Sequence, residues 1–479
     1  MFGTDSIDAR GFTPRDRVRS ASIVGIAVIV GSMLGFVAGA DALLVHRVSF
    51  ADFDLHRKIP FVLTLVFTAA VALAFACVAL ERRLFARRFE LALVGILAAA
   101  AMSGIGGTLE ATDFVIPAVL LLWLFAAMVE QRPIRVPLVA IVLVLLFSAC
   151  CIGSIANGGI KTVLDLKSPA KVLLLAFLVA DLLGGQQRVR LAVRWFVILA
   201  LVSAAVAVFT GVLDATTGIP LTAWDDVRFQ EKVTPFGRLM RATAFTATAQ
   251  VLAHFLLLGT ALLLPLRVRG IWKIAGLLLL AAGIAWTWSV GAYVLFGATV
   301  LIWLFLSRPE RSVHYAAALI GLVTLAYVVG VGNSAWSRGL TDLGAEPAQD
   351  RVVQLRAVIG AIAEHPILGN GVGDRLRGAQ GSIHVHNSYL EAAAEVGIPG
   401  ALVLIGMLAA LALGAAVLVR RLSTREDRDL CKGVLLGVFV LACHWMVEPF
   451  LDCPVSWVFI GIATGVLAHY SRELRNLHA

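Results

Sequence analysis

The densest run of groups able to do chemistry in this 479-residue chain is His384-Val385-His386-Asn387-Ser388-Tyr389-Leu390-Glu391. An imidazole is mostly neutral at pH 7 and takes up a proton readily, so both histidines are candidate general bases. Glu395 follows Glu391 by one helical turn. So many polar groups in one short stretch argue against an inert interfacial segment. The two histidines at i, i+2 also admit a metal, but no defined third ligand accompanies them. The six cysteines form neither a CxxC nor a His/Cys cluster at zinc spacing.

Upstream, Asp350 to Glu364 reads as an amphipathic helix with Val352, Val353, Leu355, Val358, Ile359 and Ile362 near one face and Asp350 as its N-cap. Pro366 ends it. Gly369, Gly371 and Gly373 then imply a tight, strandless turn whose amides are candidates to face an anion. No βαβ unit surrounds these glycines, so they are not a dinucleotide fingerprint. Downstream of the histidines, a short helix should stop at Gly397, and Pro399 opens a long apolar stretch.

The elements that must position these residues are membrane spans. With 59% hydrophobic and 15% charged residues, the chain is too apolar for ordinary soluble domains. A spanning helix needs about 20 apolar residues, and about fourteen such stretches can be read off. They begin near Ala21, Ile59, Leu91, Val115, Val136, Ala170, Leu191, Ala249, Ile271, Ser289, Tyr315, Pro399, Cys431 and Pro454. The stretches at Ile271 and Ser289 form one apolar run, too long for a single helix, which divides at Trp286 to Ser289. The fold class is therefore an all-α polytopic membrane protein of about 12–14 transmembrane helices with one large periplasmic loop containing short amphipathic helices.

Basic residues gather on the cytoplasmic side of membranes. Arg82, Arg83, Arg87 and Arg88, then Arg188, Arg190 and Arg194, then Arg267, Arg269 and Lys273, then Arg420, Arg421, Arg425, Arg428 and Lys432 all fall on one side if the N-terminus is inside. Both termini are then cytoplasmic, and the first apolar stretch stays as a signal anchor. The net charge of +9 is a topology signal. Scattered over short loops, it gives no stripe for nucleic acid. On this reading residues 1–213 are N-terminal transmembrane helices, 214–246 a first periplasmic loop, 247–331 central transmembrane helices, 332–398 the large periplasmic loop and 399–479 C-terminal transmembrane helices. Long loops carry function more often than short ones. Asp41, Asp181, His254 and His444 are the polar residues within spans, and no pairing among them is legible.

His386-Asn387, nine residues, then Gly397-Ile398-Pro399-Gly400 resembles the H-[NSQ]-x9-G-x-x-G pattern of the O-antigen ligase superfamily. Glu364-His365-Pro366-Ile367-Leu368-Gly369-Asn370-Gly371-Val372-Gly373 is similar to the same family's His-Pro-Leu-x-Gly-x-Gly segment. The resemblance implies an inverting transferase of the bacterial inner membrane that needs neither metal nor cofactor. Its donor would be a glycan on undecaprenyl pyrophosphate, its acceptor a hydroxyl on lipid A-core or on a growing glycan, with membrane lipids around it. Pyrophosphate leaves without being protonated, so such an enzyme needs chiefly a base and a cation. His386 is the expected base and His384 its substitute, with Asn387 or Glu391 orienting the ring.

Arginine suits pyrophosphate, because its planar fork pairs two phosphate oxygens. Arg241, ahead of Ala242-Thr243-Ala244-Phe245, matches the family's first-loop arginine best, with Arg238 beside it. Arg351, Arg375 and Arg377 are the large loop's candidates. Two departures stand out. Ser289-Val290-Gly291-Ala292 replaces a usual Ser-Arg-Gly-Ala, and Thr248-Ala249-Gln250 stands where an Asn-Pro-Asn-like segment is usual. Within the family a polymerase of O-antigen or exopolysaccharide is the alternative, and outside it a transporter or a non-catalytic assembly partner.

Overall fold

The computed structural model describes residues 87–102, 111–128, 167–217, 231–234, 237–307, 353–372, 377–378, 381–382 and 385–478, with single positions at 148, 310 and 314. Among these the chain is helical: α1 (Arg88–Ala101), α2 (Ala111–Met128), α3 (Lys167–Leu182), α4 (Gln186–Thr217), α5 (Ala249–Leu263), α6 (Gly270–Trp286), α7 (Val290–Ser307), α8 (353–364), α9 (Ser388–Arg421), α10 (Arg425–Trp445) and α11 (Pro454–His478). Each candidate span that falls in the described residues is a helix. Those beginning at Ala21, Ile59, Val136 and Tyr315 lie outside them.

Within the described residues α2, Gln186–Leu213 of α4, α9 and Pro454–Asn476 of α11 are long and apolar enough to cross a membrane, and α5, α6 and α7 are shorter apolar helices. The protein is a multi-pass membrane protein. The apolar run at 271–307 does divide where expected, with α6 ending at Trp286 and α7 starting at Val290.

Two short antiparallel hairpins accompany the helices. β1 (Glu231–Thr234) pairs with β2 (Gly237–Met240), and β3 (Arg377–Gly378) with β4 (Gly381–Ser382).

The core is organised around α5, whose residues from Leu252 to Leu263 are buried on every face. A helix apolar all round belongs inside a bundle, and α5 packs against α4, α6, α7 and α10. Small residues let these helices approach closely: Gly433 of α10 lies against Pro265, and Gly437 against the Phe459 ring. Thr248 caps α5 by accepting from the Val251 amide at 3.2 Å.

The pairing that was not legible in the sequence lies in this core. His254 of α5 and His444 of α10 meet Nδ1 to Nδ1 at 3.0 Å, and His254 Nε2 meets Ser456 Oγ at 3.0 Å. One Nδ1 must donate and the other accept. Phe450 stacks on His254 with ring centroids 4.6 Å apart. Asp181 accepts from Trp123 Nε1 at 2.9 Å, and Lys171 pairs with Asp113 at 3.3 Å. Asp41 lies outside the described residues.

Candidate active site

The turn after α8 is fastened to the first part of α9. Asn370 N donates to Ala394 O at 2.8 Å, Gly371 N to Glu395 O at 3.0 Å, and Ile398 N to Pro366 O at 2.8 Å. The Asn370 side chain adds donations to Ala361 O and Ala394 O. The helix breaks at Gly397, with φ 82° and ψ 168°, and Gly369 is also left-handed at φ 68°. A Cβ at Gly369 would strike the Glu395 carbonyl, and one at Gly397 the Ile367 carbonyl. Both glycines are therefore required by conformation and by space. The amides of Gly369 and Gly371 are used within the protein, which corrects the expectation that they face an anion. Gly373 lies outside the described residues.

Residues 387–389 are in turn clamped onto the chain leaving α10. Asn387 Oδ1 accepts from the amides of Tyr389 and Leu390, capping α9, while its Nδ2 donates to Met446 O at 3.0 Å. Ser388 Oγ donates to Glu448 O and accepts from Phe450 N, both at 2.8 Å. Tyr389 Oη donates to Ala442 O at 3.0 Å. These bonds, from buried Ser388 and half-buried Asn387 and Tyr389, hold the two segments in one register.

The clamp sets His386 Nδ1 3.5 Å from Glu448 Oε2. Nδ1 is buried and makes no hydrogen bond at this distance, while the side chain as a whole is 35% exposed. A carboxylate facing Nδ1 favours the tautomer with its proton there, which leaves the Nε2 lone pair free. Asn387 is committed to the cap and to Met446. Glu391 Oε2 is buried without a hydrogen bond, and the charges acting on it are Glu395 and Asp452. The carboxylate that faces the ring is that of Glu448, which no sequence motif singles out.

Arg241 approaches from a third segment. Its Nε donates to Thr287 O at 2.7 Å, and Ala242 N donates to Trp286 O at 3.0 Å, so the 241–242 stretch is stitched to the α6–α7 turn. Burial lowers the Arg241 guanidinium from its ordinary range, and the charges of Glu448 and Tyr293 act in the opposite sense. Glu448 thus faces His386 and supplies the main charge opposing that shift at Arg241. Ala244 and Trp288, the non-glycine residues with positive φ among the described residues, flank the two stitched segments. Local strain of this kind gathers at working sites.

The other candidates are placed only in part. Arg238 lies in β2 opposite Val233, and Arg377 in β3 opposite Ser382. Arg351, Arg375 and His384 lie outside the described residues, as does Asp350, the expected cap of α8. Among the described residues no three His, Cys, Asp or Glu side chains converge as metal ligands.

Residues 275–405 match the family described as O-antigen ligase. That match supports a relation of this segment to the O-antigen ligase and polymerase superfamily. No curated protein matches the chain. Among solved structures it is similar to a chain from "Structural coordination of polymerization and crosslinking by a peptidoglycan synthase complex", at 18% identity, covering 69% of this chain and 97% of that chain with a TM-score of 0.39.

The matched segment takes in the α6–α7 turn, the fastened glycine turn and His386. Arg241 and Glu448 come from outside it. Val290, where the resemblance expects an arginine, opens α7 just beyond the turn that Arg241 holds. One signal could have found Glu448: it and Asp452 are the acids in the short connection between α10 and α11.

Proposed function

We propose that the protein transfers an oligosaccharide or polysaccharide from undecaprenyl pyrophosphate to an acceptor hydroxyl, in the manner of an O-antigen ligase acting on lipid A-core. The observation that carries this reading is the His386–Glu448 pair, with the His386 side chain about one-third exposed and with Arg241 in the field of the same carboxylate. The acceptor oxygen attacks the anomeric carbon and passes its proton to His386 Nε2. The bond from that carbon to pyrophosphate breaks, and the pyrophosphate departs with the electron pair. Glu448 steadies the imidazolium, as a carboxylate does in a catalytic triad. Arg241 meets the growing negative charge, assisted by Arg238, Arg351, Arg375 or Arg377. A single displacement inverts the anomeric centre, and the chemistry asks for a base and a cation but no metal.

In this reading residues 332–398 lie in the periplasm, both termini are cytoplasmic and the protein sits in a bacterial inner membrane. Purified protein given a lipid-linked glycan and lipid A-core should form the joined product. Failure to form it under conditions where the chain is folded would refute the assignment. Elongation of the lipid-linked glycan itself would mark the protein as a polymerase of the same superfamily.

A further inference from the structure

At the ends of α5 and α10 remote from His386, a cavity of about 840 Å³ opens between the α5–α6 turn, the end of α7 and the start of α10. Six basic residues line it, Arg267, Arg269, Lys273, Arg425, Arg428 and Lys432, against the single acid Asp429. Asp429 is shared between Lys432 at 3.2 Å and Arg425 at 3.8 Å. Glu426, nearby, is divided between Arg190 at 3.3 Å and Arg267 at 4.0 Å. Arg269 and Arg428 have no carboxylate within ion-pair distance among the described residues. A concave surface with this excess of positive charge is an anion site, and guanidinium groups fit phosphate oxygens.

Its surroundings say where the phosphate comes from. Leu264, Val268 and Trp303 give the cavity an apolar wall. Beside it Ile271, Trp272 and Ile274 point outward, 75%, 66% and 60% exposed. Exposed tryptophan and isoleucine next to a ring of cations are what a helix presents where acyl chains meet headgroups. We infer that this cavity binds the phosphate of an anionic phospholipid headgroup, with Arg269 and Arg428 as its principal donors and the lipid tails along the first turns of α6. Basic pockets between spans on the cytoplasmic side are suited to such lipids. The inference uses the membrane reading of the helices and does not depend on the transferase reading.

The test uses the full chain in nanodiscs of equal phosphatidylglycerol and phosphatidylcholine, with the co-purifying lipid measured after transfer to detergent. Wild-type protein should retain phosphatidylglycerol over phosphatidylcholine. The Arg269→Gln/Arg428→Gln protein should lose that preference by about tenfold or more, since each basic residue near an anionic surface contributes to attraction. The Arg269→Lys/Arg428→Lys protein should keep most of it, and unchanged size-exclusion profiles exclude misfolding as the cause. Equal retention of the two lipids by the wild type, or undiminished preference in the Gln variant, overturns the site. Release of the lipid by low-millimolar inorganic phosphate would reassign the cavity to a free anion and also overturn it.

Discussion

His386 Nδ1 and Glu448 Oε2 face one another at 3.5 Å, and the backbone carbonyl of the same Glu448 accepts from Ser388 Oγ two residues along from His386. The carboxylate that would hold the base and the clamp that aims it therefore belong to one residue. Replacing Glu448 by Gln keeps the backbone clamp and removes the charge. An amide can also turn its NH2 toward Nδ1 and select the wrong tautomer. Glu448→Gln should lower the rate of glycan transfer by about 10²–10⁴-fold with the melting temperature nearly unchanged. Steady-state transfer alongside thermal unfolding checks this, and unaltered turnover would remove Glu448 from the account.

Local features of this site were legible before its long-range ones. Gly397 ahead of Pro399 announced a break, and the Trp286–Ser289 division of an overlong apolar run announced a turn, because both follow from neighbouring residues. Glu448 was missed because its partners lie far back along the chain, and a lone acid between two spans carries no local pattern. His254 and His444, separated by 190 positions, were missed for the same reason. The resemblance led to His386 and Arg241, but packing alone brings the Glu448 carboxylate against His386 and its charge to bear on Arg241.

Arg241 holds the α6–α7 turn through Nε, which leaves the two terminal nitrogens of its fork for phosphate oxygens. Arg241→Ala should reduce transfer at least 10²-fold, on the order of the loss of one transition-state donor. Arg241→Lys should recover little of it, because a compact ammonium lacks the planar fork that reaches Thr287 O through one nitrogen and two phosphate oxygens through the others. A Lys variant with near wild-type turnover would show that only charge matters there.

The glycine turn gives a prediction about stability with an internal control. Gly369→Ala and Gly397→Ala each place a Cβ against a carbonyl in a left-handed conformation. Each should destabilise the fold by about 1–3 kcal/mol and speed proteolysis of the region between α8 and α9. Gly360→Ala in α8 meets nothing within 4 Å. It should be neutral or stabilising by about 0.5–1 kcal/mol. Equal responses at all three positions would count against the described packing.

Asn387 separates two contributions within one side chain. Asn387→Asp preserves the acceptor that caps α9 but loses the donation to Met446 O, whereas Asn387→Ala loses both. The Ala protein should be less stable by about 0.5–2 kcal/mol. The Asp protein should unfold near the wild-type temperature yet transfer more slowly, since the segment carrying His386 is released from the one carrying Glu448. Thermal unfolding and transfer rates on the three proteins decide it, and parallel losses in both variants would mean that the donation to Met446 O alone matters and the cap does not.

The central claim is that His386 accepts the proton of the attacking hydroxyl, and transfer by purified His386→Ala protein from a polyprenyl-pyrophosphate-linked glycan tests it most directly. Abolished product, with the variant folded and inserted as the wild type is, is the predicted result. Transfer at the wild-type rate contradicts it.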